Sequence, residues 1–172
     1  MSLRVFQVSY SDVNGGAARA AYRIHHAVRS IGVNSQMLVN ASDSGDSTVL
    51  SPGDNFIRGF RRIKSKLIAP LRLLLSTKNP IIHSPSLLPS CWPNYINSSN
   101  INVVHLHWVQ GEMLSIYDIA RIRKPMIWTL HDMWAFCGAE HYTDDHRWRE
   151  GYRSNNRPDY ESGLDLNRWI WK

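Results

Sequence analysis

Residues 12–28 read DVNGGAARAAYRIHHAV, and the change of period within them decides the fold. Ahead of them, Leu3, Val5, Phe6 and Val8 make a short β-like run. Behind the two glycines, Ala17, Ala20, Ala21, Ile24, Val28 and Ile31 fall at helical spacing, with Asn14 before the segment and Gly32 closing it. SQMLVN at 35–40 follows as a second strand. Strand, glycine turn, helix and strand are the opening of a right-handed βαβ unit with parallel pairing. A loop that releases a strand into a helix aims free backbone N–H groups and the positive end of the helix dipole at one spot, which favours an anion.

The pattern resumes further along. Residues 41–55 are polar and turn-rich, with a short strand expected at 48–50. Phe56 to Leu75 is helix-like, with Pro70 set to kink or break it. Pro80, Pro85, Pro89 and Pro93 then mark an ordered surface loop. INVVHLHW at 101–108 reads as a buried strand, Leu114 to Ile122 as a short amphipathic helix, PMIWTL at 125–130 as another strand, and Leu164 to Lys172 as a starting helix. The expected fold class is α/β, a Rossmann-like open and mostly parallel sheet flanked by helices. The turns after residues 8, 108 and 130 should share the carboxyl edge of that sheet, where ligands gather in such folds.

At 172 residues the chain has room for one core, so residues 1–172 are read as one domain. Cys91 and Cys137 stand alone, without framework or CxxC spacing, which favours a reducing compartment. The N-terminus alternates like a strand and carries no leader pattern, and no run is long and apolar enough to span a bilayer. A cytoplasmic location is therefore expected.

The net charge is +6, and residues 58–78 carry it: Arg58, Arg61, Arg62, Lys64, Lys66, Arg72 and Lys78 stand there with no acid among them. On a helical wheel Phe56, Phe60, Ile63, Leu67, Leu71 and Leu74 share one side, and most of the positives lie opposite. Three readings stay open: a solvated face, a nucleic-acid patch, or a helix lying on an anionic membrane surface. Aromatic residues interleaved with the positives on the charged side of the wheel would favour nucleic acid, and that side carries none.

Gly15 and Gly16 match neither GxGxxG nor GK[ST], so the pair reads either as a phosphate cradle or as a tight turn with close helix packing. His105 and His107 point to one face of their strand, and His131 and Asp132 follow the next one. These four groups offer a metal cage, a set of hydrogen bonds to a substrate, or satisfied half-buried core histidines. For His131 the substrate role is favoured, with Asp132 placed to fix its tautomer or to contact a sugar hydroxyl. His141, Asp144, Asp145 and His146 lack a ligand spacing and read as a solvated structural loop.

Three segments, NGGAARAAYRIHHAVRSIG, VVHLHWVQGEMLSIYDIARIRKPMIWTLHDMWAFCGAEHYT and DLNRWIWK, together resemble the N-terminal half of bacterial family 4 glycosyltransferases, the retaining GT-B enzymes that build surface polysaccharides. The resemblance implies the acceptor-side domain of a two-domain transferase, with a nucleotide-sugar donor as substrate and no further cofactor or metal. It implies a glycan or lipid-linked acceptor and attachment at the inner leaflet through Arg58, Arg61, Arg62, Lys64 and Lys66. On this likeness Gly15 and Gly16 approach the donor diphosphate and His131 reaches the donor sugar, with His131 and Asp132 as positioning and electrostatic groups of catalysis; His107, at the carboxyl end of its strand, is expected to bind substrate as well. The family's two glutamates seven residues apart, which hold the donor from the second domain, have no counterpart among Glu112, Glu140, Glu150 and Glu161. The chain alone is therefore expected to be inactive, with the donor-binding domain elsewhere. The rival expectation is a non-catalytic module for anionic surfaces or nucleic acid on the same scaffold.

Overall fold

A computed structural model describes residues 2–51, 63–64, 66–68, 70 and 74–172. Its centre is β1 (Arg4–Ser11), followed by helix α1 (Gly16–Ser30), β2 (Asn34–Ala41) and β3 (Val49–Leu50). The strands β5 (Val103–Leu106) and β6 (Met126–Trp128) complete a five-stranded parallel sheet in the order β3-β2-β1-β5-β6. The fold is α/β and Rossmann-like. The chain runs outward from β1 on one side and then returns to build the other side, so the order reverses between β1 and β5. That switch opens a crevice at the carboxyl ends of the two central strands.

Each face of the sheet has its own cover. Phe6, Val8, Leu38, Val104 and Leu106 pack with Trp92, Ile96, Met113 and Leu114 in the main core. On the other face Ala21 of α1 lies against Met37, Val39 and Val49. The small residues of α1 permit that close approach. Neither layer reaches the carboxyl rim, where β1 turns polar through Ser9 and Ser11.

The helix Trp92–Ser98 departs from the sequence expectation of a proline-marked loop reaching residue 93. Pro93 sits in its first turn, where a missing N–H costs nothing because no helical acceptor exists for it. The helix Ile116–Ala120 starts on a capping box: Ser115 Oγ accepts from Asp118 N at 3.0 Å, and Asp118 Oδ2 accepts from Ser115 N at 3.0 Å. A second small sheet pairs β4 (Leu75–Thr77) with β7 (Glu161–Gly163), antiparallel, across more than eighty residues of chain. Arg147 locks it from the helix Arg147–Glu150, donating to Glu161 Oε1 at 2.8 Å and Oε2 at 3.1 Å.

In the basic segment, Arg58, Arg61, Arg62 and Arg72 lie outside the described residues. Residues 63–64, 66–68, 70 and 74 are helical. Lys64 does not belong to an exposed basic face. It is buried, and its Nζ donates to the Leu88 carbonyl at 2.9 Å. Ile68, one turn on, is buried beside it, while Ile63, Leu67 and Leu74 are exposed along with Lys66. At the described positions, then, the apolar side of the wheel faces solvent and a lysine faces in. Among the described residues no helix is long and apolar enough to cross a membrane.

Candidate functional site

Neither glycine of the turn is there for close packing, since a Cβ built on Gly15 or Gly16 meets no atom within 4 Å. Gly15 has φ +95°, a conformation that a side chain resists, so the turn itself requires it. Gly16 has no such requirement, and a Cβ built on it meets no atom within 4 Å. Glycine in the first turn of α1 weakens the helix relative to alanine. Its bare face opens onto a cleft.

Among the described residues no side chain caps α1. The Asn14 side chain donates to Asp43, and Ser11 Oγ accepts from the Asn14 backbone amide at 3.1 Å. The loop is held by Asp12, a fully buried carboxylate that accepts from the amides of Asp43 and Ser44 at 3.0–3.1 Å and so ties the β1 turn to the turn after β2. Burial would raise the Asp12 carboxyl, but the hydrogen bonds from Ser44 and Asp43 outweigh it and hold the group below its usual range. At the head of α1 is a hollow of about 280 Å³ lined by Ser9, Tyr10, Ser11, Gly15, Gly16 and Trp108 among others. Ser9 is 1% exposed and its hydroxyl has no hydrogen-bond partner among the described residues. A buried hydroxyl beside uncapped helical N–H groups is an arrangement of donors lacking an acceptor.

This hollow shares the walls Gly16, Ala17, Ile82 and Trp108 with an adjoining cleft of about 600 Å³ that His131, Asp132, His141 and Tyr142 also line. Gly16 and His131 therefore share one cleft on the carboxyl rim, at the switch point. A third hollow of about 540 Å³, bounded by Lys78, Asn79, Thr143, Asp144 and Tyr160, joins the cleft through Pro80, Ile81 and Tyr142. The Tyr142 hydroxyl donates to the His131 carbonyl at 2.9 Å.

The histidines form a connected row. His107 is 1% exposed; its Nε2 lies 2.8 Å from Gln7 Oε1 and its Nδ1 lies 3.1 Å from His131 Nε2. His105 Nε2 lies 2.7 Å from Thr129 Oγ1. Burial, with the neighbouring imidazoles, pushes His107 down to about 3, and burial lowers His105 and His131 as well. His107 thus stands behind His131 and does not line the cleft.

Asp132 does not hold the His131 ring. Its Oδ2 lies 2.6 Å from His141 Nδ1 and accepts from Trp108 Nε1 at 2.9 Å, while Oδ1 accepts from the Trp134 amide at 3.0 Å. His141 Nε2 in turn lies 2.8 Å from Ser84 Oγ. Burial alone would raise the Asp132 carboxyl; the bonds from His141, Trp134 and Trp108 bring it below its usual range. His141 is buried, not solvated, and braces the loop after β6 against the segment at residue 84.

For metal binding, the histidines of the rim have ring nitrogens engaged with one another, with Gln7 and with Thr129. Among the described residues His25, His26 and Asp46 bring three ligand atoms within 4.8 Å, far down α1. Both nitrogens of His25 are already matched, to Ser35 Oγ at 2.9 Å and Thr48 Oγ1 at 2.8 Å.

Gln7, Ser9, Trp108, His141 and Tyr142 escaped the sequence reading. For the first two a signal exists: Gln7, Ser9 and Ser11 alternate along a central strand and give it one polar face. For His141 and Tyr142 there is none, because the return of the chain across the rim brings them there. Comparison of the chain with protein-family models, with curated protein sequences and with solved structures finds no match.

Proposed function

We propose that the chain is the acceptor-side domain of a retaining glycosyltransferase that moves a sugar from a nucleotide donor to a glycan or lipid-linked glycan. In this reading the donor diphosphate lies against the head of α1, the sugar reaches His131, and the acceptor enters along the hollow walled by Tyr142 and Tyr160. One observation carries it: Gly16, which neither backbone conformation nor packing demands, lines both the hollow that holds an uncapped helix terminus with the buried Ser9 hydroxyl and the adjoining cleft that contains His131. Fixed N–H and O–H donors there would stabilise the negative charge that a departing diphosphate gains as the glycosidic bond breaks. Asp132 then serves by bracing the loop and by its field, and catalysis needs the second domain.

The test separates binding from stability. Inorganic pyrophosphate, UDP and UDP-glucose are titrated against the chain while amide signals are followed by NMR. Shifts are expected at Ser9 and residues 15–18. Gly16→Ala should raise stability by about 0.4–1 kcal/mol and weaken pyrophosphate and UDP by about tenfold, since a methyl group placed at closest approach displaces the ligand from its donors. An unchanged affinity in Gly16→Ala, or no shift at the head of α1, removes the reading.

Attachment to an anionic leaflet belongs to the same proposal, supported by the outward set of Ile63, Leu67 and Leu74 beside Lys66. Vesicles containing phosphatidylglycerol should retain the chain, vesicles of phosphatidylcholine should not, and the double variant Lys66→Glu, Leu67→Asp should release it. Equal retention on both vesicle types, or retention on single-stranded RNA alone, counts against attachment and favours the binding-module alternative.

A further inference from the structure

Gln7, His107 and His131 make a chain of polar side chains that runs from the interior of the sheet to the cleft. Gln7 sits mid-strand in β1 and is 1% exposed. Its Oε1 is 2.8 Å from His107 Nε2. A carbonyl oxygen has lone pairs and no hydrogen, so the ring hydrogen of His107 must lie on Nε2. Burial keeps His107 neutral, with a single ring hydrogen. Its Nδ1 therefore offers a lone pair, and the contact of 3.1 Å to His131 Nε2 is satisfied when His131 donates. His131 is also lowered by burial, against the opposing charge of Asp132, and carries one hydrogen at neutral pH. That hydrogen lies on Nε2. Nδ1 is bare.

We propose that Gln7 sets, through His107, which nitrogen His131 presents to the cleft, and that His131 is a hydrogen-bond acceptor there, suited to a ligand hydroxyl and not to a phosphate oxygen. Gln7 is a positioning residue in this scheme: it does not line the cleft and acts through another ring. Asp132 cannot take its place, because its oxygens are occupied by Trp108, Trp134 and His141.

The consequence for a sugar rests on the transferase reading. The head of α1 presents N–H groups and an O–H, while His131 presents a lone pair. The two ends of the cleft then have opposite polarity, and a ligand with a diphosphate at one end and hydroxyls at the other fits in one direction only. With the hydrogen on Nδ1, both ends would favour anions and that discrimination would vanish.

The decisive measurement is the tautomer of His131 in the full chain, read from long-range ¹H–¹⁵N correlations after histidine-selective ¹⁵N labelling at neutral pH. His131→Gln identifies the signals among the eight histidines. The wild-type spectrum should show His131 with Nε2 protonated and Nδ1 bare. In Gln7→Met, similar in length but without the oxygen, the two nitrogens of His131 should move toward the average of both tautomers. A wild-type His131 protonated on Nδ1 overturns the proposal, and so does an unchanged His131 in Gln7→Met. Should Gln7→Met not fold, Gln7→Leu takes its place, and the wild-type spectrum still decides on which nitrogen the hydrogen of His131 lies. If no nucleotide sugar binds but the tautomer is as stated, the transferase reading fails and the role of Gln7 stands.

Discussion

Replacing Asp132 by alanine is expected to lower the unfolding free energy by about 3–5 kcal/mol. The carboxylate accepts from the Trp108 indole and the Trp134 amide and lies 2.6 Å from His141 Nδ1, with both side chains of that pair less than a tenth exposed. Alanine leaves these donors facing an emptied site. Asp132→Asn tests the same point without changing size: an amide can still accept from Trp134, but its NH₂ would point at the Trp108 indole N–H, donor against donor. Urea denaturation of both variants gives the answer. A loss under about 1 kcal/mol would mean that the carboxylate serves a ligand and that the fold does not need it.

Stability should also fall as the medium is acidified from about pH 6.5, well before carboxylates titrate. His25 is fully buried between Ser35 and Thr48 and is pushed down to about 4, by burial first and then by the charges of His26 and Arg29. His107 is pushed down to about 3. In the unfolded chain both take a proton near pH 6.5, which the folded protein refuses until much lower pH. The unfolded state therefore binds more protons throughout that window. Stability declines as pH falls through it, by about 1.4 kcal/mol per pH unit for each histidine, and levels off for His25 near pH 4. Asp12, Asp46 and Asp132, all held below their ordinary values, act later and with the same sign, while Glu140, which burial raises, acts with the opposite sign. Asp46, held at about 2 chiefly by hydrogen bonds from Thr48, contributes above its ordinary value of 3.8 and loses that contribution below it. Urea midpoints between pH 8 and 4 should show the slope, and His25→Gln should shallow it by one proton. An undiminished slope in that variant would assign the effect elsewhere.

The elements read from sequence were those whose information is local. Alternation in β1 and β2, the helical spacing of α1 and the apolar runs at β5 and β6 each repeat within a few residues, and the glycines at 15 and 32 sit where φ is positive. Expected and observed ends differ by one to three residues, as at the helix Ile116–Ala120, because flanking residues fray into turns. The helix Trp92–Ser98 was hidden by Pro93, which stops a helix from within and is tolerated at its start. β4 was hidden because its partner β7 lies far along the chain and the strand has only three residues. At the site, the shared rim of the turns after β1, β5 and β6 follows from parallel topology alone. The partner of Asp132 does not: nothing near residue 132 announces that His141 returns to it, or that a glutamine in the first strand stands behind His107.

Tyr142 forms the wall between the two larger hollows, and its hydroxyl is anchored on the main chain of His131. A molecule that pushes this ring aside from the Tyr160 side breaks its hydrogen bond to the backbone that carries the imidazole on the other. Occupancy of one compartment is then thermodynamically linked to affinity in its neighbour, and the linkage has equal magnitude in both directions.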